Sequence, residues 1–260
     1  CITPNGEATT EITHQVAPET TAGWKYLFDY TNAYKLVDDY PTTKMDSEQT
    51  IERKRLIGRI AEGIYKVRTR KGNQPYWFCG VPYEGEEAID LSIEVAWHIV
   101  NAAEMASDSV VKINPWGLAG LASNESGLDL CTLGLYPRLA AYDLGILKRR
   151  KRTISHTRAE IAAVVIHPEM TRRFRAFDLG MIQTLDSHYR ADQQYKKKPV
   201  DILTLLDWPG FYWQAEYLHQ LAVRYNTDEP WTYWPGYRAE WKATKVRRYA
   251  RQLGATKLEI

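Results

Sequence analysis

Apolar residues recur every three to four positions through most of the chain from residue 47 onward, and polar breaks cut that pattern into helices. Asp46-Ser47-Glu48 offers caps for a helix with Ile51, Leu56, Ile57, Ile60, Ile64 and Val67 on its apolar positions. Lys71-Gly72-Asn73 then forms a turn, and YWFCGVPY (76–83) has strand-like residues broken by Gly and Pro. A long helix over about 86–107 carries Ala88, Ile89, Ile93, Ala96, Trp97, Val100 and Ala103 on one side. Asn114-Pro115 opens the next, with Pro suited to the first helical position. Its Trp116, Leu118, Ala119, Leu121 and Ala122 are dense enough to mean burial on most sides, and it stops at Asn124-Glu125-Ser126-Gly127, where Gly provides the exit. Further helices fit 137–147, 155–165, 201–206, 211–225 and 240–252, with a strand-like piece over about 179–185. The pattern predicts a mostly α fold with a minor β-sheet, an α+β chain.

No internal repeat or Gly/Ser linker divides the sequence, so it reads as one domain. Residues 1–22 are polar and rich in Thr, Pro and Glu, as in an extended arm. Residues 23–105 read as an N-terminal helical elaboration packed on a core formed by 106–260. Its Tyr-rich start, from Trp24 to Asp46, is expected to be partly helical and closed by Pro41. No run of 18 uncharged apolar residues exists, so no transmembrane helix is expected.

Lys plus Arg number 34 against 32 Asp plus Glu, a formal charge of +2, so the chain as a whole does not call for nucleic acid. The run Lys148-Arg149-Arg150-Lys151-Arg152 and the cluster Lys245, Arg247, Arg248 and Arg251 read as a solvated loop and a solvated helix face. Nine Trp and seventeen Tyr against five Phe favour rings with a polar edge. Such rings suit cleft walls that stack on sugar faces. A Tyr-rich surface without special purpose explains the bias equally well.

The three cysteines, Cys1, Cys79 and Cys131, form no C-x-x-C or Cys/His cluster, and the histidines lack ligand spacing, so no metal and no cofactor is expected. A leading Cys fits the lipid-bearing residue of an exported lipoprotein, leaving Cys79 and Cys131 as a disulfide pair. In the alternative Cys1 marks where a chain was trimmed behind a signal peptide, and the other two are buried thiols.

The segment WGLAGLASNESGLDLC (116–131) sets a carboxylate, Glu125, at the end of an apolar helix. Burial there disfavours the charged form and would keep the acid protonated toward neutral pH, as a general acid requires. A Glu that merely caps or solvates a helix end is the bland alternative.

The Glu125-Ser126 pair resembles the catalytic motif of the lysozyme-like superfamily, in particular goose-type lysozymes and lytic transglycosylases. Gly180-Met181-Ile182-Gln183 resembles that superfamily's Gly-Leu-Met-Gln strand, and Tyr225-Asn226 its Tyr-Asn motif on a later helix. The likeness covers about residues 112–252. It departs from the pattern in an insertion at roughly 132–178 and in Arg175-Ala176-Phe177-Asp178-Leu179, which stands where relatives have Ser-x-x-Gly-Ala. Within the superfamily, GLASNESGLDLCTLGLYPR with the leading Cys is most similar to lysozymes of predatory bacteria that act on deacetylated peptidoglycan.

The resemblance implies a monomeric, exported enzyme whose 106–260 part is the catalytic domain. Its substrate would be peptidoglycan glycan strands, cut at the MurNAc–GlcNAc β-1,4 bond with Glu125 as general acid. It draws in Tyr136 as a second catalytic residue, able to steady charge near the anomeric carbon. Ser126, Met181, Gln183, Tyr225 and Asn226 become substrate-binding residues, and Asp178 and Asp186 candidates for positioning water. Attack by the sugar's own 6-hydroxyl would instead give the anhydro product of a lytic transglycosylase. A non-catalytic peptidoglycan-binding protein is the alternative of another class.

Overall fold

The computed structural model describes residues 47–149, 155–234 and 237–260. The expected arm, the Tyr-rich segment, Cys1 and Arg150-Lys151-Arg152 lie outside the described residues. Among the described residues the fold is mostly helical with a minor β component, nine α-helices and two short antiparallel hairpins. No helix among them is long and apolar enough to cross a membrane.

Helix α1 (Ser47–Arg68) fully buries Ile57, Ile60 and Ile64 of the expected stripe, with Ala61 beside them, while Ile51 and Val67 toward its ends are exposed. Strands β1 (Tyr76–Phe78) and β2 (Val81–Tyr83) pair antiparallel, Phe78 opposite Val81. The expected broken strand is therefore a hairpin. Cys79 (φ 46°) and Gly80 (φ 78°) both take the left-handed conformation, which matches a tight primed turn to the twist of the strands.

Helix α2 (Gly85–Met105) is buried along most of its length. Helix α3 (Pro115–Glu125) starts as its sequence dictates, since the Asn114 side chain accepts from the N–H groups of Trp116 and Gly117 and Pro115 follows the cap. Then come α4 (Leu135–Asp143), α5 (Arg158–Val165), α6 (Pro168–Arg173), the hairpin β3 (Asp178–Leu179) and β4 (Thr184–Leu185), and α7 (Asp186–Tyr195). A 3₁₀ turn (Ile202–Leu206) leads into α8 (Trp208–Tyr225), and a second (Pro230–Tyr233) precedes α9 (Glu240–Gln252).

Two apolar clusters organise these elements. The main one combines α1, α2, α3, α8 and α9 through residues such as Ile64, Val100, Leu121, Phe211 and Val246. Residues up to 105 thus supply a large part of the same core as the C-terminal half, and packing does not break at 105. The second cluster gathers Leu133, Ala141, Val164, Met170, Leu179 and Trp213 under the segment read as an insertion. Cys79 packs against both.

Helices α3 and α9 cross at unusually close range. A Cβ on Gly120 would lie 2.4 Å from the Val246 carbonyl oxygen, and one on Gly117 would lie 2.2 Å from the Trp231 ring. Only glycine admits this approach, and the crossing brings the first turn of α9 beside the end of α3.

Candidate active site

The site begins at the exit of α3. Ser126 is buried, donates to the Ala122 carbonyl and accepts from the Asp129 N–H, so its hydroxyl holds the helix exit together. Gly127 is needed for its φ of 67°, and a Cβ there would press only on the movable tip of Arg68, 2.8 Å away. Leu128 is also left-handed (φ 64°) although fully buried, an unfavourable conformation for a branched side chain. Its carbonyl accepts from the Tyr76 hydroxyl at 2.7 Å, which ties this strained exit to β1.

Glu125, the last residue of α3, keeps 16% of its side chain exposed, against 7% for Lys242 on α9. Lys242 Nζ makes an ion pair with Glu125 Oε1, and Asn124 Nδ2 donates to the same oxygen at 2.7 Å. Among the described residues no hydrogen bond reaches Oε2. Lys242 occupies the buried stripe of α9 with Val246 and Ala250, at intervals of four. It stands outside the cation cluster of Lys245, Arg247, Arg248 and Arg251 that the sequence marks on this helix.

Asp178 stands on β3, and its backbone carbonyl accepts from the Gly134 N–H at 2.9 Å. Burial, then the charges of Glu125 and Asp186, push its carboxyl above the ordinary aspartate range, with Lys242 pulling the other way. Glu125 belongs to the main cluster's helix and Asp178 to a strand of the second cluster, and the charge of the one acts on the other.

The other expected site residues divide. Asp186 is buried, accepts from the Phe177 N–H and from Arg190 Nε, both at 2.9 Å, and thereby closes the β3–β4 hairpin. This removes it as a holder of water. Met181 is fully buried in the main cluster rather than lining a cleft. Gln183 is half-buried with a left-handed backbone (φ 50°) that turns the hairpin. Tyr136, in the first turn of α4, is 76% exposed, so it is not the packed aromatic its place before Pro137 suggests.

Tyr225 stacks on Tyr233 with ring centres 3.8 Å apart and planes within 3°. Asn226 is exposed, ends α8 in the left-handed region (φ 47°) and lines a hollow with Val111, Lys112 and Thr227, a hollow that Glu125 does not line. Trp234, which the sequence reading did not single out, donates from Nε1 to the Ile182 carbonyl at 2.7 Å and meets the Tyr217 ring edge-on. Aromatic residues thus bind the hairpin to α8.

Just beyond Ser126 lies a third acid. Asp129 is buried, and its Oδ1 accepts from the Cys79 and Cys131 N–H groups, each at 3.0 Å, while Oδ2 accepts from Ser155 Oγ. Burial pushes its carboxyl up to about 6 against the pull of those hydrogen bonds and of Arg68. Cys79 and Cys131 are joined as a disulfide with Cα atoms 4.8 Å apart, so their sulfurs are not available as metal ligands.

Comparison with family models, with curated proteins and with solved structures returned no match for this chain.

Proposed function

We propose that this protein is a peptidoglycan-cleaving glycosidase that cuts the MurNAc–GlcNAc β-1,4 bond, with Glu125 as general acid. The observation that carries this reading is a pair of carboxylates whose charges act on each other in unlike surroundings: Glu125 against a buried ammonium, and Asp178 with no hydrogen-bond donor among the described residues and pushed upward by burial. Glycoside hydrolysis needs two such carboxyls; the upward push would by itself make Asp178 the acid of the pair, so the acid role of Glu125 rests on its Glu125-Ser126 motif.

In the proposed reaction Glu125 gives its proton to the glycosidic O4, the C1–O4 electron pair leaves with that oxygen, and positive charge develops at C1. Water adds to C1, and its proton passes to Asp178. The presence of a second carboxylate favours this hydrolytic course over internal attack by the 6-hydroxyl, which needs none. Tyr136, exposed at the start of α4, is free to meet a ligand, and the stacked Tyr225 and Tyr233 offer a sugar a flat face.

Asp178 also suits the narrower reading, a preference for N-deacetylated walls. An uncovered ammonium would supply the donor that this carboxyl lacks. The disulfide fits an oxidising compartment and hence an exported enzyme.

A second reading, a non-catalytic wall-binding protein, has one observation in its favour. A carboxylate gripped by a buried lysine can serve structure alone. Purified walls decide between them: the parent is expected to clear a sacculus suspension and Glu125→Gln to leave it turbid. Equal clearing would remove Glu125 from the chemistry, and binding without clearing by the parent would favour the second reading.

A further inference from the structure

A lysine on the buried stripe of a helix needs an explanation. The positions four and eight residues on, Val246 and Ala250, are fully buried and apolar, and a methionine or leucine at 242 would pack there without stripping an ammonium of water. Among the described residues the carboxylate that meets Lys242 is Glu125, and the other hold on its ammonium is the Trp241 ring, whose centre is 5.0 Å from Nζ. The closeness of α3 and α9 at Gly120 is what makes the reach possible.

We infer that Lys242 is the positioning residue of this site: it clamps Oε1 of Glu125, leaves Oε2 as the oxygen that meets substrate, and stabilises the carboxylate that remains once the proton has gone. The inference rests on the glycosidase reading. Asn124 supports the same orientation by donating to Oε1 from the adjacent position on α3. Before proton transfer the ammonium faces a neutral carboxyl, and afterwards a full negative charge. The contact therefore strengthens along the reaction, which is the condition for it to raise the rate.

The charged groups acting around Glu125 are Lys242 from α9 and Asp178 from β3, with Asp186 acting on Asp178.

The test measures kcat and KM on solubilised glycan strands for the parent, Lys242→Met, Lys242→Gln, Lys242→Arg and Glu125→Gln, with folding checked by circular dichroism. Both neutral variants are expected to lose about 10–100-fold in kcat with little change in KM. Lys242→Arg, which keeps the charge, should restore kcat. Glutamine can still hydrogen-bond to Oε1, so it keeps the test valid if the methionine variant does not fold. A neutral variant with the parent's kcat, beside an inactive Glu125→Gln, would overturn the role of Lys242 and leave the glycosidase reading standing. A parent no more active than Glu125→Gln would overturn both.

Discussion

Two acids four residues apart at the exit of α3 are treated in opposite ways. Asp129 is buried and surrounded by donors: two backbone N–H groups and a hydroxyl converge on its oxygens, and the disulfide locks the backbone that presents them. Glu125 is nearly as enclosed, yet its donors crowd onto one oxygen, and the neighbouring Asp178 carboxyl has no hydrogen bond among the described residues. A fold that only had to be stable would satisfy both sites, because buried acceptors without donors are costly. The clasp around Asp129 holds the loop rigid, and the incompletely paired carboxylates beside it are the ones left to meet a ligand.

Neutralising each acid in turn separates the two most directly. Glu125→Gln should lower glycan cleavage by roughly 10²–10⁴-fold with the fold intact, whereas Asp129→Asn should keep activity within about threefold. Steady-state rates on wall fragments check both. Removing the disulfide comes next. Cys79 and Cys131 are 52 residues apart, and freeing a loop of that length in the unfolded chain corresponds to about 4 kcal/mol. Urea unfolding of the Cys79→Ser, Cys131→Ser double variant should register a loss of that order.

The pH dependence of stability sharpens the contrast further. The Asp129 carboxyl lies at about 6 in the folded protein against an ordinary 3.8, so between those values the folded state binds more protons than the unfolded one. Its contribution to stability therefore falls as pH rises through that window, reaching a cost of about 3 kcal/mol above it. Asp129→Asn retains an acceptor for both N–H groups and has no charge to desolvate. It should be the more stable protein at pH 7 and lose that advantage by about pH 4, as read from melting temperatures of the pair. Carboxylates held down by arginine, such as Glu259 with Arg59, act in the opposite sense in both proteins and cancel in the difference.

Much of the fold is legible in the sequence because periodicity and caps agree. The Asn114-Pro115 start of α3, the stop at Gly127 and the bounds of α9 follow from local chemistry. Helix α7 was missed because DSHYRADQQY buries only Asp186, Tyr189 and Gln193, two of them polar, so no apolar stripe marks it. The piece at 179–185 reads as one strand, but Gly180 and Gln183 both take positive φ and fold it into a hairpin.

At the site, Glu125 is marked by its greasy helix, whereas Lys242 is not. A lysine amid other cations looks solvated until its spacing from Val246 and Ala250 is counted. Asp186 and Met181 could not be told from ligand-facing residues, since hairpin closure and core packing depend on contacts far along the chain.

The smallest expected effect belongs to Tyr136. Being 76% exposed, it should tolerate Phe with stability changed by no more than about 0.5 kcal/mol. Its cleavage rate should fall about fivefold, the worth of one hydrogen bond. A larger loss of stability would show that the ring is packed after all.

The account stands or falls on what leaves the wall. Intact and N-deacetylated sacculi, incubated with the parent and with Glu125→Gln, can be compared by mass spectrometry of the soluble fraction. The parent should release disaccharide peptides with free reducing ends, more from the deacetylated sample, and the variant almost none. Equal product from both proteins, or no glycan product from either, would contradict it.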